Sequence, residues 1–304
     1  MLDATLNKDE SLLFDTASGP VELRRSAQGV LYTWPRPTAA ELAALYGEDY
    51  YASDKPAYFE KTERELGYWN AVWDMRRQVL EAELPAGRRS ILDVGCAGGF
   101  LLDRFQQSGW RVQGVEPSRR AVQFAQERFG MDLFCGPVEE FETDAPVDAI
   151  HASQVLEHLL DPEACLHKMA GLMAPGGLVF LEVPNEFNPL QSALAEELEK
   201  PPWWIVPRHH LNYFNYDSLA RLCESAGLEE VMRLGTFPVE MMALMGMDYV
   251  GNSTVGAEVH RMRMEFETHL LDSGRSDVLL GMQRGFADQG LGRTACLVAR
   301  KVGS

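Results

Sequence analysis

Eleven residues, Ser90-Ile-Leu-Asp-Val-Gly-Cys-Ala-Gly-Gly-Phe100, restrict what this chain can fold into more than any other stretch. Ile91, Leu92 and Val94 read as a short buried strand with Asp93 near its carboxyl end. Gly95, Gly98 and Gly99 then make a turn whose backbone can approach a ligand, because glycine has no Cβ to clash. Leu101, Leu102 and Phe105 recur at helical spacing immediately afterwards. Strand, glycine turn and helix in that order is the place where an open α/β sheet takes a nucleotide-like ligand.

Beyond that unit strand and helix alternate, the signature of a parallel sheet covered on both faces. Arg111–Val115 reads as a second strand ending in Glu116-Pro117-Ser118, with Ser118 capping a helix that runs to about Phe129. Leu133–Cys135 and Val147–Ala152 read as the third and fourth strands. Leu178–Val183 is the fifth, after the turn Pro175-Gly176-Gly177; Leu228–Leu234 is the sixth and Arg293–Arg300 the last. Asp161-Pro162 starts a helix with proline in its first turn, and Gly227 closes another over Tyr216–Ala226. Ahead of the sheet, Val21–Leu23 and Val30–Trp34 suggest a hairpin, and Thr38-x-x-Glu41 is a capping box. Tyr58, Leu66, Trp69, Trp73, Val79 and Leu80 predict one helix from about Lys55 to Leu84. Pro184–Pro207 reads as irregular and Pro238–Leu291 as Met-rich and helical.

The expected fold is therefore α/β. It is a Rossmann-like, seven-stranded, mostly parallel sheet with helices on both faces, an N-terminal helical cap and a helical insertion before the last strand. The expected divisions are a hairpin and cap over 1–85, a ligand-binding core over 86–237, the insertion over 238–291 and the last strand over 292–304.

The 304 residues carry a formal net charge of -17. Such a surface repels phosphate backbones and argues against nucleic acid as a partner. The five cysteines, an odd number with no Cys-x-x-Cys pair, read as reduced and buried thiols. No apolar run approaches the roughly 20 residues of a membrane helix, and Met1–Glu10 has no basic-then-apolar leader. A cytoplasmic protein without membrane contact is expected.

Glu116 lies about 20 residues beyond Gly95, the distance at which an acid grips both hydroxyls of an adenosine ribose. Dinucleotides need Gly-x-Gly-x-x-Gly to rest a pyrophosphate on the helix N-terminus. Here Ala97 stands at the middle glycine, and no basic residue lies in the turn. A sulfonium nucleoside has no phosphates, and Asp93 can hold its ammonium group. The residues favour S-adenosylmethionine, with S-adenosylhomocysteine as product, over a nicotinamide cofactor.

Four segments in order, Asp93-Val-Gly-Cys-Ala-Gly-Gly-Phe100, Val115-Glu-Pro-Ser118, Val155-Leu-Glu-His-Leu-x-Asp-Pro162 and Pro175-Gly-Gly177, resemble class I S-adenosylmethionine-dependent methyltransferases. Tyr46-Gly-Glu-Asp-Tyr-Tyr51 and His210-Leu-Asn-Tyr-Phe214 resemble a branch acting on small molecules and sugars, alongside ubiquinone-type O-methyltransferases. The resemblance implies that Gly95, Cys96, Ala97 and Gly98 face the methionine and ribose portion, with Asp93 nearby and Glu116 on the ribose diol. It places Pro117, Pro137, Val138 and Glu139 around the adenine, and Ser153, Gln154 and Val155 along the site. Members of this branch often carry a zinc ribbon, but Phe14–Tyr32 has no cysteine, so a hairpin without zinc is expected. Ubiquinone-type and small-RNA 2′-O-methyltransferases bind a divalent ion through Glu-x-x-Glu-His. This chain has Gln154-Val-Leu-Glu157-His158, and without the first acid no metal is expected.

Methyl transfer is an in-line displacement, so a protein mainly positions the nucleophile and takes a proton from a hydroxyl. His158, His209 and His210 are the candidate bases, His210 foremost because it belongs to the matched motif. Tyr50 and Tyr51 either close over the cofactor and substrate or anchor the cap. Trp203 and Trp204 make either a substrate wall or a hydrophobic plug. The reading is a methyltransferase acting on oxygen of a small-molecule substrate. The alternatives are a metal-assisted RNA 2′-O-methyltransferase, a silent cofactor-binding scaffold and, more distantly, a nicotinamide dehydrogenase.

Overall fold

The computed structural model describes residues 11–45, 51 and 55–303. The chain opens with β1 (Ser11–Thr16), β2 (Gly19–Arg25) and β3 (Leu31–Trp34), then α1 (Ala39–Leu45), α2 (Tyr58–Arg64) and α3 (Leu66–Glu83). The alternating core follows as β4 (Ser90–Val94), α4 (Phe100–Gln107), β5 (Arg111–Glu116), α5 (Arg119–Phe129) and β6 (Phe134–Cys135), then β7 (Val147–Ser153), α6 (Pro162–Leu172) and β8 (Met173–Pro184). Next come α7 (Pro189–Glu197), β9 (Asn212–Tyr213), α8 (Tyr216–Ser225) and β10 (Leu228–Gly235). Helices α9 (Glu240–Leu244), α10 (Ser253–Asp272) and α11 (Ser276–Asp288) precede β11 (Thr294–Lys301).

Seven strands form the main sheet in the order β10-β11-β8-β7-β4-β5-β6. β4 to β8 run parallel, and β11 enters antiparallel between β8 and β10. The chain steps outward from β4 to β5 and β6, then returns to lay β7 on the other side of β4. That reversal opens a crevice at the carboxyl ends of β4 and β7, where ligands bind in sheets of this kind. All five residues of β4 are buried. Gly114 in β5 lets α4 pack close: a Cβ there would come within 2.6 Å of Leu102 and 2.7 Å of Cys96. The caps read from sequence form as expected, with Ser118 accepting from Ala121 N–H, Asp161 from Ala164 N–H, and Thr38 and Glu41 bonding reciprocally.

Four features differ from the sequence reading. The helix expected over Lys55–Leu84 kinks at Glu65, whose carboxylate takes hydrogen bonds from Trp69 Nε1 and His260 Nε2. Backbone bonds continue across the kink, from Glu65 N–H to Lys61 and from Trp69 N–H to Glu65. The irregular stretch contains α7, capped by Asn188 with Pro189 in the first turn; the Asn-Pro signal was legible among its prolines. The N-terminal hairpin gains β1 on one side and β9 on the other, giving a second sheet β1-β2-β3-β9. Trp204 is buried there with Leu23, Leu31, Ile205 and Tyr213, so this tryptophan pair forms a plug. Finally, Cys135 is exposed because β6 is a two-residue edge strand, whereas the other four cysteines are buried. Among the described residues no helix is long and apolar enough to cross a membrane.

Candidate active site

A cavity of about 1150 Å³ opens at the crevice and runs under α3 toward β11 and α10. Its volume exceeds the roughly 300–1,000 Å³ of a pocket for one small ligand, which leaves room for two side by side. Asp93, Gly95, Cys96, Ala97, Glu116 and Pro117 line one half, with Pro137, Val138 and Glu139 after β6 and Ser153, Gln154 and Val155 after β7. These are the positions the sequence put around a cofactor.

Their geometry fits a ribose and an amino-acid group. Gly95, at φ +72°, brings its backbone so near Val155 that a Cβ would stand 2.6 Å from Cγ2. Glu116 is 4% exposed, and its two oxygens accept from Ala97 N–H and Ser118 N–H, each at 2.9 Å. One lone pair on each oxygen is left for a hydroxyl donor. Burial pushes its carboxyl up to about 7, against the two N–H donors, which favour the charged form. Ala97 and Gln154 both adopt left-handed backbone, at φ +47° and +57°. Non-glycine strain of this kind concentrates at ligand sites. The Cys96 thiol is buried here and pushed up by desolvation.

Gly98 departs from its expected place. It does not line the cavity; a Cβ there would meet Phe124 at 2.8 Å and Phe59 at 3.0 Å, so it serves the packing of the turn against aromatic rings. Tyr51 does line the cavity, buried and stacked on Phe59 with centroids 5.1 Å apart. Tyr50 lies outside the described residues.

Asp93 belongs to a buried polar chain that the sequence reading missed. His151 Nδ1 lies 2.7 Å from Asp93 Oδ1, and His151 Nε2 lies 2.9 Å from Arg76 Nη1. A guanidinium can only donate, so Nε2 accepts and Nδ1 carries the proton toward Asp93. Arg76 Nη2 also pairs with Glu182 at 2.6 Å, and Glu182 accepts from Ser153 and Thr294 hydroxyls at 2.6 and 2.8 Å. Despite full burial, the Arg76 charge and these donors hold Glu182 down to about 2. Asp93 Oδ2 has no partner among the described residues and remains for a ligand. The signals were a lone histidine in the apolar run Val147–Ala152, and an arginine on the same helix stripe as Trp73, Val79 and Leu80.

His158 lines the cavity, whereas His209 and His210 do not. His209 gives its carbonyl to His158 Nδ1 at 2.6 Å, and His210 Nδ1 sits 2.9 Å from Glu186 Oε1. Burial drives His158 down to about 3 and His210 down to about 4, so both rings are uncharged near neutrality. With Nδ1 of His158 donating to a carbonyl, its Nε2 carries a lone pair. Glu157 is completely buried, and neither of its carboxylate oxygens has a hydrogen-bond partner among the described residues. Glu157, His158 and His210 each offer a donor atom within 4.8 Å of the others. Two imidazoles and a bare carboxylate fit a divalent cation. The expectation of no metal rested on Gln154, which is not among these three residues. The methionines of 241–247 line none of the cavity, and Met245 is 72% exposed.

The family model described as a methyltransferase domain matches residues 60–232. Ubiquinone biosynthesis O-methyltransferase of Aromatoleum aromaticum is 30% identical over 188 residues, 57% of this chain and 78% of that protein. The enzyme of the same name from Bordetella bronchiseptica is 30% identical over 154 residues, 47% of this chain and 63% of that protein. Among solved structures, the plantazolicin methyltransferase BamL, in complex with a triazolic desmethylPZN analog and SAH, aligns at TM-score 0.53 and 13% identity. That alignment covers 86% of this chain and 96% of BamL. The 1,6-didemethyltoxoflavin-N1-methyltransferase of Burkholderia thailandensis aligns at TM-score 0.51 and 15% identity, over 99% of this chain and 98% of that one. At those identities the structures speak for the fold alone.

Proposed function

The chain belongs to the class I S-adenosylmethionine-dependent methyltransferases, and we propose that it methylates an oxygen of a small-molecule acceptor. The observation that carries the reading is one cavity with room for two ligands, bounded by Glu116 and Asp93 on one side and meeting His158 on the other. The curated relatives named as O-methyltransferases favour oxygen as the attacked atom. The net charge of -17 disfavours an RNA acceptor.

When bound, S-adenosylmethionine supplies a methyl group already activated on a sulfonium. Asp93 Oδ2, oriented through His151, holds the ammonium; Glu116 accepts from the ribose hydroxyls; Pro117, Pro137 and Val138 flank the adenine, with Glu139 at its edge. Gly95, Cys96 and Ala97 shape the floor, and Ser153, Gln154 and Val155 bound the site beside β7. An acceptor hydroxyl placed in line with that methyl group would give its proton to His158 Nε2. His210 and His209 act through His158 and not on the acceptor.

A ring held at about 3 is a weak proton acceptor, since a base works best near the operating pH. The bare carboxylate of Glu157 therefore supports a second reading of the same cluster. Glu157, His158 and His210 would hold a divalent cation, which would lower the pKa of the acceptor hydroxyl as a Lewis acid.

His158→Ala is expected to cut kcat on the order of 100-fold, with S-adenosylhomocysteine affinity kept. The assay is S-adenosylhomocysteine formation over a panel of phenols and alcohols. Wild-type turnover in the variant removes His158 from the reaction. Under the metal reading, EDTA reduces the wild type to the variant's rate and a divalent salt restores it; under the simple base reading EDTA does nothing.

A further inference from the structure

Charged side chains of both signs line the cavity. Around the cofactor half its walls and rim carry the acids Asp93, Glu116, Glu139 and Asp161, which suits a ligand bearing a sulfonium and an ammonium. The other half, under α3 and against β8, β10, β11 and α10, carries Arg76, Arg263 and Arg293 together with Glu182 and Glu267. Arg76 is neutralised by Glu182. Arg263 lies over the Tyr68 ring, 5.5 Å from its centroid, and comes only within 3.9 Å of Glu267. Glu267 takes the Tyr68 hydroxyl, and burial raises its pKa, which weakens it as a counter-charge.

Arg293 is the informative residue. It stands just before β11, at the carboxyl end of the parallel strands, where Asn185 N–H bonds to its carbonyl at 3.2 Å. Its guanidinium makes one ion pair, from Nη1 to Glu240 at 3.1 Å, and no other hydrogen bond among the described residues. It keeps 43% of its side-chain surface and is among the residues that line the cavity. Gln283 of α11 lines the same half. It is only 6% exposed, yet its amide has no hydrogen-bond partner among the described residues. Tyr68, Trp69 and Trp73 supply flat apolar walls. Buried polar groups without partners are rare, and Gln283, beside the unpaired edge of the Arg293 guanidinium on the same cavity, marks a ligand.

Resting on the methyltransferase reading, we propose that this half is the acceptor subsite and selects a flat molecule bearing a carboxylate, gripped by the Nε–Nη2 edge of Arg293 that Glu240 leaves open and steadied by Gln283. A planar guanidinium matches a planar carboxylate in two parallel hydrogen bonds. The acceptor's negative charge is also drawn toward the sulfonium in the neighbouring half, which favours close approach of the reacting atoms.

The test is calorimetric titration of S-adenosylhomocysteine-saturated protein with 2-naphthoate and with the isosteric, uncharged 2-naphthamide. The carboxylate is expected to bind at least about tenfold more tightly, in line with a charge-assisted bond replacing a neutral one. Arg293→Gln combined with Glu240→Gln, which removes both members of that ion pair, is expected to abolish that preference; Arg263→Gln should reduce it. Equal or tighter binding of the amide overturns the proposal, as does the failure of both to bind at millimolar concentration. A preference that survives the double substitution overturns it too. The wild-type comparison decides the matter even where a variant does not fold. If S-adenosylhomocysteine itself fails to bind, the methyltransferase reading falls; if it binds and the carboxylate preference is missing, only the acceptor assignment falls.

Discussion

Glu116→Ala is expected to weaken S-adenosylhomocysteine binding at pH 8 by about 100-fold or more, with the fold retained. Each carboxylate oxygen already holds one backbone N–H, from Ala97 or Ser118, and keeps a lone pair for a ribose hydroxyl. Hydrogen bonds to a charged group contribute about 1.5–3 kcal/mol each. Two of them therefore account for two or more decades of affinity, at about 1.4 kcal/mol per decade. Calorimetry reads the loss, and circular dichroism checks that the variant is folded. Unchanged affinity sinks the assignment of Glu116 to the ribose.

The same carboxylate sets a pH dependence of known sign. Burial raises it to about 7 in the ligand-free protein, while hydroxyl donors favour its charged form. Binding thus expels a proton, and affinity should increase from pH 6 to pH 8, by up to about tenfold per pH unit below 7. In Glu116→Gln the profile should be flat over that range. The ligand-free protein behaves oppositely. Because the folded value lies above the ordinary 4.5, this group's contribution to stability is full below about 4.5 and is lost as pH rises through about 7. Thermal midpoints across that window, with and without S-adenosylhomocysteine, should diverge as the pH rises.

What was legible in the sequence was whatever short range determines. A glycine turn after an apolar strand, Glu116 at the end of the next strand, and the Ser118, Asp161 and Thr38 caps all express constraints within a few residues, and each appears where expected. The strand alternation carried the seven-stranded sheet for the same reason. The arrangement beyond Pro184 depends on contacts between distant segments. β9 is two residues long and exists only because β3 is there to pair with it, Leu31 against Tyr213 and Tyr32 against Asn212. His210 belonged to the recognised motif, yet it stands behind His158, because Glu186 and the turn at Val206 fix its ring and backbone. Arg76, His151 and Glu182 are far apart along the chain and look like isolated polar residues in apolar elements. Only the packing of α3 across β7 and β8 shows that they neutralise one another.

That buried chain supplies the largest expected effect on stability. Arg76→Met should destabilise the protein by about 3–5 kcal/mol at pH 7, because it leaves Glu182 charged and buried without its cation. The pair is close to solvent-free, with 8% and 10% of the two side chains exposed. The pH dependence separates this cause from a simple packing loss. In the wild type Glu182 is held at about 2, below the ordinary 4.5. Its contribution is therefore complete above about 4.5 and disappears as pH falls through about 2. The deficit of Arg76→Met in urea unfolding should be greatest at neutral pH and shrink toward pH 3, where the orphaned carboxyl can take a proton; a deficit that is constant with pH contradicts the ion-pair account. Arg76→Met with Glu182→Leu should recover much of the loss, since removing both charges replaces the pair by apolar contact. The double variant also tests the relay to the cofactor. Losing the Arg76 donor releases His151 Nε2 and with it the fixed proton on Nδ1 that orients Asp93. If the restored, folded double variant shows a raised KM for S-adenosylmethionine with kcat little changed, the chain positions Asp93; if KM is unchanged, Arg76 and Glu182 serve the core alone.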